Sequence, residues 1–215
     1  MAEWLNTAFY GIDNSIFNGV NALAKSAGGF FTPFFTFISF FGEKGLFFIL
    51  LSVVLMLFSK TRKLGFTMLI AIGLGALLTN VILKNAVARQ RPYVQSEIYA
   101  QFHQLVGGKI ESDLSFPSGH TTVTMTSMTA LFLVCNKKWS WVGFVFTALM
   151  GFSRVYLIVH YPTDVFAAII VGAITGTAAY FIVKGIYSVI KSKQHNKFCY
   201  YFLNFDLINL FKKKD

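Results

Sequence analysis

A chain of 215 residues that is 55% hydrophobic, 17% aromatic and only 13% charged, with a mean hydropathy of +0.59, lies outside the range of soluble globular domains and reads as one integral membrane domain. Its formal net charge of +10 does not point to nucleic acid, because the basic residues stand in short clusters at the ends of apolar runs, where they orient helices and meet anionic head groups. Cys135 and Cys199 lie far apart in the sequence, each beside a basic cluster assigned to the cytoplasmic side, so no disulfide is expected.

No cleavable signal pattern opens the chain: Glu3, Asn6, Asp13 and Asn14 interrupt any apolar core, and the first membrane helix is expected to act as the insertion signal. Over residues 12–24 the apolar Ile12, Ile16, Phe17, Val20 and Leu23 recur at helical spacing, with Asp13, Asn14, Asn18 and Asn21 on other faces. This pattern predicts an amphipathic helix lying along the interface. Two apolar runs follow, 28–41 and 45–58, separated only by Gly42-Glu43-Lys44. Each is shorter than the ~20 residues that span hydrocarbon. They read as two tilted spans, the first recruiting residues back towards Val20; one long helix broken at Glu43 is the alternative.

Lys60-Thr-Arg-Lys63 closes the second run, and 64–83 is a third span rich in small residues (Gly65, Gly73, Gly75, Ala76) that permit close helix contact in lipid. A polar loop follows, ending near Glu111-Ser-Asp113 and Phe116-Pro-Ser-Gly-His120. Residues 121–135 form a fourth span with many hydroxyls, 139–156 a fifth beyond the basic turn Asn136-Lys-Lys138, and 165–190 a sixth ending in Lys191 and Lys193. The tail 195–215 mixes aromatics with Lys212 to Lys214 and reads as interfacial. The expected architecture is all-α: a six-transmembrane-helix bundle with an N-terminal interfacial helix, one domain over 1–194, and a basic, aromatic tail. If the later spans alternate, Lys60, Arg62, Lys63, Lys137, Lys138 and the tail lysines fall on one side, which the positive-inside rule makes cytoplasmic.

The opposite side collects the chemistry. Lys84 precedes Arg91-Pro92; Pro117-Ser-Gly-His120 opens the fourth span; Ser153-Arg154 precedes His160, with Asp164 four residues further on. Three fixed cations, small donors and two histidines suit a phosphoryl group. Arg91 and Arg154 match phosphate oxygens bidentately, Lys84 adds a point charge, and the Ser118 hydroxyl and Gly119 N–H sit at a helix N-terminus that favours an anion. Asp164 is spaced to accept from one ring nitrogen of His160 and leave the other as nucleophile, so a phosphohistidine is the implied intermediate. His120 would protonate the leaving oxygen and then deprotonate water. No carboxylate cluster or His/Cys set has metal-ligand spacing, so neither metal nor cofactor is expected. Arg89, His103, Lys109 and Glu43 fall outside the clusters and read as solvated or interfacial, and His195 as surface.

In these three clusters the chain resembles the phosphatidic acid phosphatase type 2 superfamily, which includes lipid phosphate phosphatases, bacterial acid phosphatases, glucose-6-phosphatase and vanadium haloperoxidases. Its motif positions stand in order as Lys84, Arg91, Pro92, Pro117, Ser118, Gly119, His120, Ser153, Arg154, His160 and Asp164. The resemblance covers 84–164 directly and roughly 20–190 through the helix pattern. It implies a helix bundle with the site near the outer surface, His160 as nucleophile, His120 as acid/base, and Lys84, Arg91, Ser118, Gly119 and Arg154 binding phosphate. The leading expectation is a bacterial, multi-pass cell-membrane phosphatase with both termini cytoplasmic and the site extracytoplasmic. It would act on a lipid phosphate or pyrophosphate, undecaprenyl pyrophosphate or phosphatidylglycerol phosphate first. A vanadate-dependent oxidase and a non-catalytic lipid binder or carrier are the other classes. Membrane lipids and the lipid substrate are the partners implied; nothing in the sequence sets an oligomeric state.

Overall fold

The computed structural model describes residues 1–211, and every regular element among them is helical. The expected Lys212 to Lys214 cluster lies outside the described residues. Helices α1 (Ala2–Ala8) and α2 (Tyr10–Phe40) lead through a 3-10 turn, Glu43–Gly45, into α3 (Leu46–Met56). Helix α4 (Arg62–Ala76) runs into a π-helical stretch, Leu77–Leu83, and a last turn, α5 (Lys84–Val87). After α6 (Pro92–Gln95) and α7 (Glu97–Leu105) come α8 (Gly119–Val134), α9 (Lys137–Ser140), α10 (Val142–Tyr156), α11 (Pro162–Ser192), α12 (Lys197–Asn204) and α13 (Ile208–Phe211). The stretches Tyr10–Met56, Arg62–Gln95 and Pro162–Ser192 are long and apolar enough to cross a membrane.

Helix α8 is the hub, packed on α4, α10 and α11. Between helices in lipid, close backbone approach and polar contacts decide the packing, since lipid tails are as apolar as leucine. Helix α11 comes so near α8 that a Cβ on Gly176 would lie 2.8 Å from the Thr126 carbonyl oxygen and 2.7 Å from Thr129 Cβ. The hydroxyls of the fourth run now have partners. Thr126 Oγ1 lies 3.1 Å from Thr175 Oγ1 on α11 and donates to the Ala71 carbonyl of α4 at 3.2 Å. The Thr79 hydroxyl donates to Thr122 at 3.2 Å, joining the π-helical stretch to α8.

The run 28–41, part of the stretch Tyr10–Met56, makes its polar contacts at one end of the bundle. Helix α2 contacts the end of the bundle where α8 and α11 begin and α10 ends, and Phe41 just beyond it reaches Phe146 within α10, with ring centroids 6.0 Å apart. Asp13 accepts from the Thr163 N–H at 3.1 Å, Thr32 is hydrogen-bonded to Tyr156 at 2.9 Å, Arg154 donates to Ser39, and Gly42 packs on the His120 ring. The helix is broken at Ala27 (φ −142°, ψ 24°) and carries Pro33 internally. Fourteen residues reach about 21 Å as an α-helix, short of a ~30 Å hydrocarbon core. The chain buries Phe17, Val20 and Ala24 in one cluster with Tyr99, Tyr156 and Tyr161. Residues 12–24 therefore pack as a cover over the bundle end.

The far end is the basic one. Arg62 donates to the Met56 carbonyl at 2.9 Å and to the carbonyls of Phe202 and Phe205, with its guanidinium 5.8 Å from the Phe202 ring centroid. Asp206 accepts from the Ser59 N–H at 3.0 Å. The segment around α12 is thereby docked on the α3–α4 turn. Asn6 and Asp13 contact the opposite end, so the N-terminal helices and α12 lie at opposite ends of the bundle.

Candidate active site

The three sequence clusters converge at the end covered by α2. The Ala88 backbone turns left-handed (φ 53°) to close α5, and Pro92 starts α6, so the intervening residues fold back over α8 and α11. Arg91 donates from Nε to the Asp113 carbonyl at 2.9 Å and from Nη1 to the Val159 carbonyl at 2.8 Å. The same Nη1 lies 3.2 Å from His160 Nε2. A second left-handed residue, Ile158 (φ 56°), ends α10 and turns the chain so that the His160 N–H returns to the Arg154 carbonyl at 3.3 Å.

Lys84, Arg91, Gly119, His120 and His160 line one cavity of about 420 Å3, which continues past the apolar Ile49, Ile72 and Ala76 between helices. Ser118, Arg154 and Asp164 are buried behind it. Ser118 is the N-cap of α8, its oxygen accepting from the Thr121 N–H at 3.4 Å and the Thr121 hydroxyl at 3.0 Å, as expected of a serine at a helix start. Its role in the fold is thus fixed independently of any ligand. The α8 N-terminus it caps presents Gly119 to the cavity.

The imidazole of His160 is almost wholly buried, at 1% exposure. Its Nδ1 faces Ser115 Oγ at 3.4 Å and Asp164 Oδ2 at 3.7 Å, and the Ser115 hydroxyl donates to that same Oδ2. The carboxylate expected to touch the ring directly therefore meets it through a serine outside the three clusters. Burial first, then the charges of Arg91, Arg154 and Lys84, hold His160 well below its ordinary pKa, so the ring is neutral. With Nδ1 turned to Ser115 and Asp164, the Nε2 lone pair is the one that looks towards Arg91 and the cavity. On the other wall, His120 Nε2 is buried without a hydrogen-bond partner among the described residues and stands 3.7 Å from the Glu43 carboxylate.

Acidic residues of the loop before α8 occupy the cation cluster. Asp113 forms ion pairs with both Lys84 and Arg91, and Glu111 pairs with Arg154. Arg154 Nε is left buried with no hydrogen-bond partner among the described residues. Lys84 and Arg91 hold the Asp113 carboxyl down to about 2 against the opposing effect of its partial burial. Carboxylate and phosphate oxygens compete for the same guanidinium and ammonium donors, so this arrangement is that of an anion site filled from within.

Several residues set aside in the sequence are part of this architecture. Arg89, expected to be solvated, has 0% exposure and bonds to Asp164 and Asp13. His103 is buried and stacked on Tyr93 with ring centroids 4.2 Å apart, and burial lowers its pKa. Glu43 faces His120. Lys109 and His195 are exposed. Arg89 sits two residues before Arg91, and only the turn at Ala88, invisible in composition, sends the two side chains to different partners.

The model of the PAP2 superfamily matches residues 46–187, a stretch that contains the three clusters. The chain belongs to this superfamily. It is 32% identical over 123 residues to an undecaprenyl-diphosphatase of Sulfolobus acidocaldarius, covering 57% of this chain and 56% of that protein. It is 31% identical over 128 residues to undecaprenyl-diphosphatase BcrC of Bacillus subtilis, covering 59% and 63%. The chain thus spans less than two thirds of the length of either relative. The crystal structure of a transmembrane PAP2-type phosphatidylglycerolphosphate phosphatase from Bacillus subtilis superposes with a TM-score of 0.63 at 26% identity, over 88% of this chain and 90% of that one. The PAP2 fold, all helical and of membrane character, is common to both.

Proposed function

We propose that this PAP2 chain is a membrane lipid phosphatase that removes the terminal phosphate of a lipid phosphate or pyrophosphate through a phosphohistidine on His160. The observation that carries the reading is the pairing of a neutral His160 Nε2 with Arg91 Nη1, 3.2 Å apart, in a cavity that Lys84, Gly119 and His120 also line. Undecaprenyl pyrophosphate and phosphatidylglycerol phosphate are the first substrates to test, because the similar proteins carry those names. The apolar continuation of the cavity past Ile49 and Ile72 suits a substrate whose phosphate is attached to hydrocarbon.

In the first step Nε2 of His160 bonds to phosphorus as the bridging P–O bond breaks; the leaving oxygen keeps the electron pair and takes a proton from His120, which enters the step as the imidazolium and leaves it neutral. A water then gives a proton back to His120 and attacks phosphorus. The P–N bond breaks, its pair returns to Nε2, and orthophosphate leaves. Lys84, Arg91, Arg154 and the Gly119 N–H hold the equatorial oxygens, where charge builds up in the transition state. The basic end around Arg62 and Lys137 is assigned to the cytoplasm, which puts the site and the N-terminal helices on the extracytoplasmic face.

Purified protein in detergent is expected to release phosphate from one of these lipids in the presence of EDTA, with His160→Ala inactive. Phosphate release that stops with EDTA, or a His160→Ala protein of near-normal turnover, refutes the mechanism.

A further inference from the structure

Behind the proposed site lies a buried ionic cluster that the phosphate chemistry leaves unused. Arg89 is fully buried and Asp13, on α2, is 2% exposed. The guanidinium donates from Nε to Asn6 Oδ1 at 2.7 Å, from Nη1 to Thr163 Oγ1 at 2.8 Å and Asp164 Oδ1 at 2.6 Å, and from Nη2 to Asp13 Oδ2 at 3.0 Å. Its plane lies over the Tyr161 ring, 3.6 Å from the centroid. Asp13 in turn accepts from the Thr163 N–H at 3.1 Å and the Thr163 hydroxyl at 2.9 Å. A charged group removed from water stays charged only when its hydrogen bonds are met, and here they are met from three separate segments.

The division of labour at Asp164 is what matters for the reaction. Oδ1 is held by Arg89, while Oδ2 takes the Ser115 hydroxyl and the Tyr161 N–H and faces His160 Nδ1. A carboxylate free to rotate could swing away from the ring. One pinned at Oδ1 by Arg89 keeps Oδ2 facing Nδ1, and a fixed acceptor there favours the tautomer with hydrogen on Nδ1 and the lone pair on Nε2. Asp13 brings a second carboxyl group to the same guanidinium, near a histidine that also faces Arg91. Without Arg89, Asp13 and Asp164 become two like charges close together, which cannot both ionise freely.

We propose that Arg89, clamped by Asp13 of α2, is a positioning residue that fixes Asp164 and thereby the reactive tautomer of His160, so that the N-terminal helix is a working part of the site. The inference rests on the reading of His160 as nucleophile, but one of its tests does not. In 15N-histidine NMR of the full chain in detergent, wild-type His160 should show a single Nδ1–H tautomer, and Arg89→Gln and Asp13→Asn should each show a mixture; Asp13→Glu should restore the wild-type pattern. In phosphate release, Asp13→Asn should lower kcat by about 10- to 100-fold while KM and orthovanadate affinity stay within about threefold. If Arg89→Gln does not fold, Asp13→Asn decides by the same measurements. An unchanged tautomer in the Asp13→Asn protein overturns the proposal, and so does a loss of kcat matched by an equal loss of orthovanadate binding, the mark of a purely structural role. A wild-type chain with the single tautomer but no phosphate release would support the positioning and reject the proposed function.

Discussion

Asp113 holds Arg91 twice over, accepting from Nε through its main-chain carbonyl at 2.9 Å and from Nη2 through its carboxylate. The same carboxylate pairs with Lys84, so a phosphate entering the cavity must displace it. Asp113→Asn removes the competing charge while the carbonyl contact remains. The expected result is a KM, and an orthovanadate inhibition constant, lowered ~3- to 10-fold, about 0.7–1.4 kcal/mol, with kcat little changed. A raised KM in this variant would mean that the carboxylate organises the cations for substrate and does not compete with it.

The pH dependence of this competition follows from the same contacts. The folded-state carboxyl is depressed to about 2 from the ordinary 3.8. Its contribution to stability is therefore complete above about pH 4 and is lost as pH falls towards 2; at half exposure that contribution is small. Between pH 5 and 9 the Asp113 charge is constant, so the ratio of KM for wild type to KM for Asp113→Asn should be flat across that range. A ratio that changes tenfold between pH 5 and 7 would assign the effect to another group.

The His120 ring rests against Gly42 so closely that a Cβ there would lie 2.6 Å from Cδ2 and 2.9 Å from the histidine Cβ. The backbone of Gly42 is ordinary (φ −89°), so what alanine meets is the His120 side chain. Gly42→Ala should push His120 off its place beside the cavity and lower kcat ~10-fold or more, since a misplaced proton donor loses much of its 10²–10⁴-fold effect. The melting temperature should shift by only a few degrees. Full activity in this variant would show that the ring relaxes away at no cost.

What the sequence made legible was the set of side chains that the fold brings together, because Lys84, Arg91, His120, Arg154 and His160 stand in compact clusters where ionisable groups are rare. The helices were legible too, as apolar runs. Less legible was anything set by tertiary packing. Hydropathy registers 28–41 as membrane-like, but it does not register that both ends of that run touch residues at the same bundle end. Ser115 and Arg89 were missed for a related reason: a serine and an arginine in a polar loop look solvated until the left-handed turn at Ala88 and the folding of the loop over α11 bury them. Glu111 and Asp113 read as loop charges because nothing in a linear pattern says which cation an acidic side chain will reach.

Ser115→Ala separates the two links between Asp164 and His160. The hydroxyl bridges Oδ2 and Nδ1, and without it the carboxylate faces the ring across 3.7 Å. Loss of one such hydrogen bond to a charged group costs about 1.5–3 kcal/mol, so kcat should fall ~10- to 100-fold with KM and orthovanadate affinity retained. Ser115→Thr, which keeps the hydroxyl, should recover much of the rate. Equal losses in both variants would point to space and not to the bridge.

The placement of α2 makes the topology testable apart from any chemistry. Asn6 and Asp13 bond to Arg89 beside the site, whereas Asp206 and the Phe202 carbonyl bond to Ser59 and Arg62 at the basic end. Cys135 and Cys199 are free, so both are first replaced by serine. A cysteine is then introduced at Trp4, which is 63% exposed, or at the exposed Tyr201 in the tail. A membrane-impermeant maleimide should label Trp4→Cys in intact cells and Tyr201→Cys only after permeabilisation. Labelling of both under one condition would return 28–41 to the status of a true span and detach the N-terminal helices from the site. The opposite pattern, Tyr201→Cys outside and Trp4→Cys inside, would keep the fold and reverse the face on which the phosphate chemistry is proposed.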